Sequence, residues 1–230
     1  MSRLLVHVEG ETEETFVNEV LRSHLYSKGF TQVSARIVGN ARLRQRRGGI
    51  RGWDSVKKDI VRHLRNDVTV YSTTMVDYYA LPQSGPGAWP GRSAAAALPT
   101  PVKAVTVEDA LNLDIQAEMG TAFFPNRFVP FVIIHEFEGL LFSNCSAFSR
   151  AIGKPDLESD LQRVRDEFAS PEDINDSPIS APSKRVLRLI PNYEKPLMGT
   201  LAVIEIGLER IRNECPHFDD WLVRLEGLIP

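Results

Sequence analysis

Short apolar runs alternate with stretches of helical period from Leu4 to Ile134, and this alternation constrains the fold more than any other feature. Leu4, Leu5, Val6 and Val8 form a run that ends at Glu9-Gly10 and reads as a buried parallel strand. Glu11, Thr12, Glu13 and Glu14 suit the positive end of a helix. Phe16, Val17, Val20, Leu21 and Leu25 recur at helical spacing, and Gly29 stops that helix. Val33, Ala35, Ile37 and Val38 make a second strand, and Trp53, Val56, Ile60, Val61 and Leu64 mark a second helix. The β-branched and aromatic stretch Val68 to Val76 is a third strand, ending at Asp77. Thr106 with Asp109 resembles a capping box for a third helix running to about Met119. Phe128 to Ile134 is a fourth strand, in which Pro130 predicts an edge position or an irregularity. Such alternation implies βαβ units: an α/β fold with a parallel sheet of about four strands and helices on both faces. Sheets of this kind place functional groups at the carboxyl ends of their strands.

From Cys145 onward the pattern is helical: Leu157 to Phe168, Ser183 to Ile190, Leu201 to Arg212, and a last helix around Trp221, Leu222 and Leu225. A proline-containing loop, Pro171 to Pro182, interrupts them. The expected division is an α/β domain over 1–144 and a helical extension over 145–230, packed on it. Residues 81–104 carry Pro82, Pro86, Pro90, Pro99 and Pro101 among glycines and alanines, and read as a mobile insertion rather than a second domain. No internal repeat is present.

The 230 residues are 43% hydrophobic and 25% charged, an ordinary globular composition. The net charge of -3 gives no global basic balance, so any nucleic-acid contact must come from a local patch. Met1 to Val8 lacks the apolar length of a signal peptide, and no apolar run approaches the roughly 20 residues of a membrane helix. Cys145 and Cys215 alone suggest neither a disulfide framework nor a zinc site, and a reducing cytoplasm is expected.

The polar residues just past the strand ends are mostly acids. Glu9 follows the first strand, Asp77 the third, and His135, Glu136 and Glu138 the fourth. Glu13 stands four residues after Glu9, where a first helical turn points it back to the same edge. Clustered carboxylates drive one another toward protonation unless a positive charge stands among them. A hard divalent cation with oxygen ligands, Mg²⁺ or Mn²⁺, meets that need.

Arg42, Arg44, Arg46, Arg47 and Arg51 crowd one loop and offer guanidinium forks to phosphate oxygens. Lys184 and Arg185 are further candidates for stabilising charge on a phosphate. Tyr78 and Tyr79 suit packing at a strand end, or stacking on bases. His135 suits orienting a carboxylate, or acting as base or ligand.

Val8-Glu9-Gly10-Glu11-Thr12-Glu13, Met75-Val76-Asp77-Tyr78-Tyr79 and His135-Glu136-Phe137-Glu138, with Ala181-Pro182-Ser183-Lys184-Arg185 and Glu214-Cys215-Pro216-His217-Phe218, resemble a bacterial Toprim-like family, domain of unknown function 4276. More distantly, the chain resembles nucleases of the overcoming-lysogenisation-defect (OLD) type. That resemblance implies a Toprim-like fold and a nuclease whose metal ligands are Glu9, Glu13, Asp77 and Glu138 (or Glu136). It implies Lys184 as the catalytic lysine and Glu9 as the acid/base; the local positive charge, read beside it, would put Arg44, Arg46, Arg47, Arg51 and Arg185 on the nucleic acid. It further implies an ATPase partner of the AAA or ABC type and a role in anti-phage defence. The substrate, DNA or RNA, stays open, as does homodimerisation. Tyr79 stands where the second aspartate of the Asp-x-Asp motif belongs, which removes one coordination point. Two rivals follow: a degenerate binding or regulatory subunit of an ATPase, and a metal-dependent phosphatase or phosphotransferase on a small molecule.

Overall fold

The computed structural model describes residues 2–38, 50–174 and 180–229. Its centre is a five-stranded sheet: β1 (Arg3–Val8), β2 (Gln32–Ile37), β3 (Val70–Asp77), β4 (Phe128–Val129) and β5 (Val132–Ile133). The order is β2-β1-β3-β4, with β5 also on β3, and every pairing is parallel. The expected fourth strand is thus two short strands. Pro130 separates them because it has no N–H for the ladder. Thr74 bridges the gap with its side chain, donating to Phe131 O at 2.8 Å and accepting from Phe131 N at 3.0 Å.

Both faces are covered, as a parallel sheet requires. On one face Leu4, Val6, Val8 and Met75 share a core with Phe16 and Leu21 of the helix over 11–27. That helix contains a π-helical turn at Val17–Leu21. The same core takes in Phe137, Leu141, Phe148, Val186, Val203, Phe218 and Trp221, so the C-terminal helices are packed directly on the sheet. On the other face Val76, Phe128 and Val132 pack with Val56, Ile60 and Leu64 of the helix Trp53–Asn66 and with Val107, Leu111 and Ile115 of the helix Thr100–Met119.

The long helix starts six residues before Thr106, just after Pro99. Thr106 lies inside it and donates to Val102 O instead of capping. Residues 81–104, read from composition as a mobile insertion, carry buried anchors in Leu81, Trp89 and Ala95. Trp89 lies against Trp53 with ring centres 4.9 Å apart, and its indole N–H donates to Arg51 O. Among the described residues no helix is long and apolar enough to cross a membrane.

Candidate metal centre

The register of the sheet assembles the acids. Val8 pairs with Met75, so Glu9 and Asp77 emerge one step apart at the same carboxyl edge. Asp77 pairs with Ile133, which brings the segment from His135 to Glu138 to that edge as well. Side chains alternate along a strand, so Asp77 shares the face of Met75, the face that carries the helix over 11–27 and the C-terminal helices. Glu13, on the first turn of that helix, is turned toward the strand end, where one of its oxygens accepts the Gly10 N–H at 3.0 Å. One Asp77 oxygen accepts the Phe137 N–H at 2.9 Å, and the Tyr79 N–H donates to His135 O at 3.1 Å. His135 takes a left-handed conformation (φ 66°), uncommon for a non-glycine residue, and this turns the chain so that Glu138 can open a short helix, Glu138–Leu141.

Glu13, Asp77 and Glu138 are each buried. Among them stands the ammonium of Lys195, 3.2 Å from Glu138 Oε2, 3.4 Å from Asp77 Oδ2 and 3.5 Å from Glu13 Oε1. These separations exceed the 2.7–2.9 Å of a tight charge-assisted hydrogen bond. One cation therefore faces three acids at middling range, with Glu9 beside them. Burial pushes the Glu9 carboxyl up to about 7; Glu13 and Glu138 add to the rise, and Lys195 opposes it. Burial raises Asp77 well above the usual carboxylate range for the same reasons. The carboxylates in turn hold Lys195 firmly protonated against the desolvation that opposes it.

The donor set fits a hard cation. Glu9 Oε2, Glu13 Oε1 and Glu138 Oε2 are buried with no hydrogen-bond partner among the described residues. The Lys195 ammonium, 3.2 Å from Glu138 Oε2 and 3.5 Å from Glu13 Oε1, gives two of them a counter-charge without a hydrogen bond, which leaves acceptor capacity on all three. As the side chains stand, no three His, Cys, Asp or Glu residues among those described hold metal-binding geometry, and the Lys195 ammonium stands among the carboxylates. The site has the chemistry and burial that an oxygen-seeking divalent ion needs, and is closed around Lys195.

The lysine at the site is thus Lys195. Lys184 is exposed on the helix Pro182–Leu189 and makes no ion pair with the acids. Glu136 turns away: one of its oxygens accepts the Ser183 N–H at 2.8 Å in the first turn of that same helix. Arg185 is held by Ser180 O and Glu167, and lies over the Phe168 ring. Arg51 is committed to Val38 O, Ser55 and Asp59. Internal partners therefore occupy the two described arginines of the five expected on nucleic acid. Arg42, Arg44, Arg46 and Arg47 lie outside the described residues. Tyr78 packs, buried under the Arg92 guanidinium at 4.0 Å, while Tyr79 is partly exposed. Cys145 and Cys215 are buried free thiols. Lys195 was missed because it follows a helix and a loop, 118 positions after Asp77, where strand register has no reach. The signal present in the sequence was Lys195-Pro196, a cation at a proline-marked helix start.

A sequence profile described as "Domain of unknown function (DUF4276)" matches residues 8–226. The chain belongs to that family. Among solved structures it is similar to the C-terminal region of the Burkholderia pseudomallei OLD protein, at 16% identity over 96% of this chain and 98% of that one, with a TM-score of 0.48. It is also similar to the C-terminal region of the Xanthomonas campestris pv. campestris OLD protein, at 15% identity over 97% of each chain, with a TM-score of 0.40. No curated protein matches the sequence.

Proposed function

We propose that this chain is a Mg²⁺- or Mn²⁺-dependent phosphodiesterase that cuts nucleic acid. One observation carries the reading: Glu9, Glu13, Asp77 and Glu138, from distant stretches of the chain, gather at one sheet edge around Lys195, with buried oxygens among them that make no hydrogen bond to the described residues. Glu9, Glu13, Asp77 and Glu138 would hold the ion, which when bound polarises a phosphodiester and acidifies an attacking water. Glu9 would take and return the proton of the attacking water; a bound ion would draw its carboxyl down from the value of about 7 that burial gives it without metal. Lys195 supplies positive charge where the phosphoryl oxygens gain negative charge. The Phe137 N–H keeps Asp77 oriented as its surroundings change. An ATPase partner of the AAA or ABC type and a role in anti-phage defence rest on the sequence resemblance alone and enter here as part of the proposal.

A second reading, a degenerate binding or regulatory subunit, draws on Tyr79 in place of an aspartate and on the closure of the acids around Lys195. Cleavage of plasmid DNA and of tRNA with Mn²⁺ separates the two. The nuclease reading expects Glu9→Gln and Asp77→Asn to lose at least about a hundredfold in rate, the scale of a lost acid/base or charge-stabilising group. Equal cleavage by wild type and both variants would remove it.

A further inference from the structure

Tyr193 stands two residues before Lys195, and its hydroxyl is buried with no hydrogen-bond partner among the described residues. A buried phenol ordinarily finds one. The residue is held in place from two sides. Its N–H donates to Ile190 O at 3.0 Å. Gly199, at the end of the π-helical turn Lys195–Gly199, comes so near that a Cβ there would lie 2.9 Å from the hydroxyl oxygen and 3.4 Å from Thr12 Cγ2. Thr12 adjoins Glu13, so the hydroxyl lies between the lysine segment and the acidic first turn. π-Helical turns recur at functional sites, and this one carries Lys195 at one end and the close-approach glycine at the other. Burial, with the charges of Glu138 and Glu13, pushes the phenol further up from its ordinary range, so it keeps its proton at every working pH. A neutral O–H with no internal acceptor is suited to a ligand that brings an oxygen.

We propose that Tyr193 is a substrate-binding donor: its hydroxyl donates a hydrogen bond to a non-bridging phosphoryl oxygen, beside the Lys195 ammonium, and Gly199 sets its position. The inference rests on the phosphodiesterase reading and extends it to a residue outside the acidic motifs. A hydroxyl that served instead to orient Glu138 would act on metal affinity, and that difference decides the test.

Two titrations by calorimetry suffice: Mn²⁺ alone into wild type and Tyr193→Phe, then inorganic phosphate into the Mn²⁺-saturated proteins. Mn²⁺ affinity is expected to agree within about twofold. Phosphate affinity is expected to fall about ten- to a hundredfold in the variant, the scale of one hydrogen bond to a charged acceptor. The variant removes a hydroxyl with no internal partner, so its melting temperature stays at or above that of wild type. Gly199→Ala should give a similar loss of phosphate affinity, and the double variant no more than Tyr193→Phe alone. Unchanged phosphate affinity in Tyr193→Phe, a fall in Mn²⁺ affinity, or a wild type that binds Mn²⁺ but no phosphate overturns the assignment and leaves the metal site standing. A wild type that binds no Mn²⁺ sinks the metal site and the tyrosine with it.

Discussion

Replacing Lys195 by Met removes the one cation that, among the described residues, pairs with Glu13, Asp77 and Glu138, while keeping the length of the side chain. In wild type its ammonium faces Glu138, Asp77 and Glu13 at 3.2, 3.4 and 3.5 Å. At an effective dielectric of ~20 each contact is worth about 5 kcal/mol of attraction, much of it offset by the desolvation of both partners. Breaking a fully buried pair typically costs about 3–5 kcal/mol. The Lys195 side chain is 36% exposed, and solvent screening lowers the expected loss to about 2–3 kcal/mol. For a chain of this size that corresponds to a fall in melting temperature of roughly 5–10 °C. The variant's carboxylates then lack a counter-charge among the described residues, and a divalent ion can supply it. With metal at a hundredfold excess over Kd, binding returns about 2.7 kcal/mol. Thermal unfolding followed by circular dichroism, with and without Mn²⁺, is the assay. The expected outcome is a metal-free variant less stable than wild type, and a Mn²⁺ shift larger in the variant than in wild type, where the ammonium competes. A metal-free variant as stable as wild type, or equal Mn²⁺ shifts in the two, would refute the reasoning.

Glu136→Ala should cost about 1 kcal/mol of stability, the worth of a helix-capping acceptor, and leave Mn²⁺ binding within twofold; a large loss of Mn²⁺ affinity by calorimetry would return Glu136 to the ligand set. His7 is buried on β1 with Ser72 Oγ 3.3 Å from its Nε2, and burial, aided by the nearby His63 and Arg36, lowers its pKa to about 3. The unfolded chain therefore binds this proton below about 6.5 while the folded chain does not, so its contribution is complete above about 6.5 and is lost as pH falls toward 3, by up to about 1.4 kcal/mol per pH unit. Urea unfolding between pH 4.5 and 7 should show a shallower acid loss in His7→Gln than in wild type; identical slopes would contradict the shift. His217 has the opposite sign: its hydrogen bond to Glu108 at 2.9 Å raises its pKa, so this stabilisation is present below about 6.5 and fades as pH climbs through the raised value. Replacing it by Gln should remove that decline from urea unfolding extended well above pH 7, and an unaltered alkaline slope would count against the pair.

Elements whose periodicity is local were legible in the sequence. The strand ends at Glu9 and Asp77 follow from Val8 and Val76, and register then joins them without any knowledge of loops. Pro130 announced the broken fourth strand through its missing N–H. Composition misread the start of the long helix, because Thr100 and Pro101 together open a helix that the proline count had assigned to a loop. Charge alone also could not separate the duties of neighbouring residues. Glu136 and Glu138 are two positions apart, yet one serves a helix terminus and the other the acidic cluster. Lys184 and Lys195 are equally plausible as cations by type, and only the packing of the C-terminal helices on the face of Met75 and Asp77 selects the second.

For this chain to act as a metal-dependent phosphodiesterase, a divalent ion must enter the ring of acids. Anomalous scattering from crystals soaked in Mn²⁺ tests this directly. A peak bounded by Glu9, Glu13, Asp77 and Glu138, with the Lys195 ammonium displaced from its present contacts, is the predicted result. Crystals that show Mn²⁺ elsewhere, or none while Lys195 stays among the carboxylates, would contradict it.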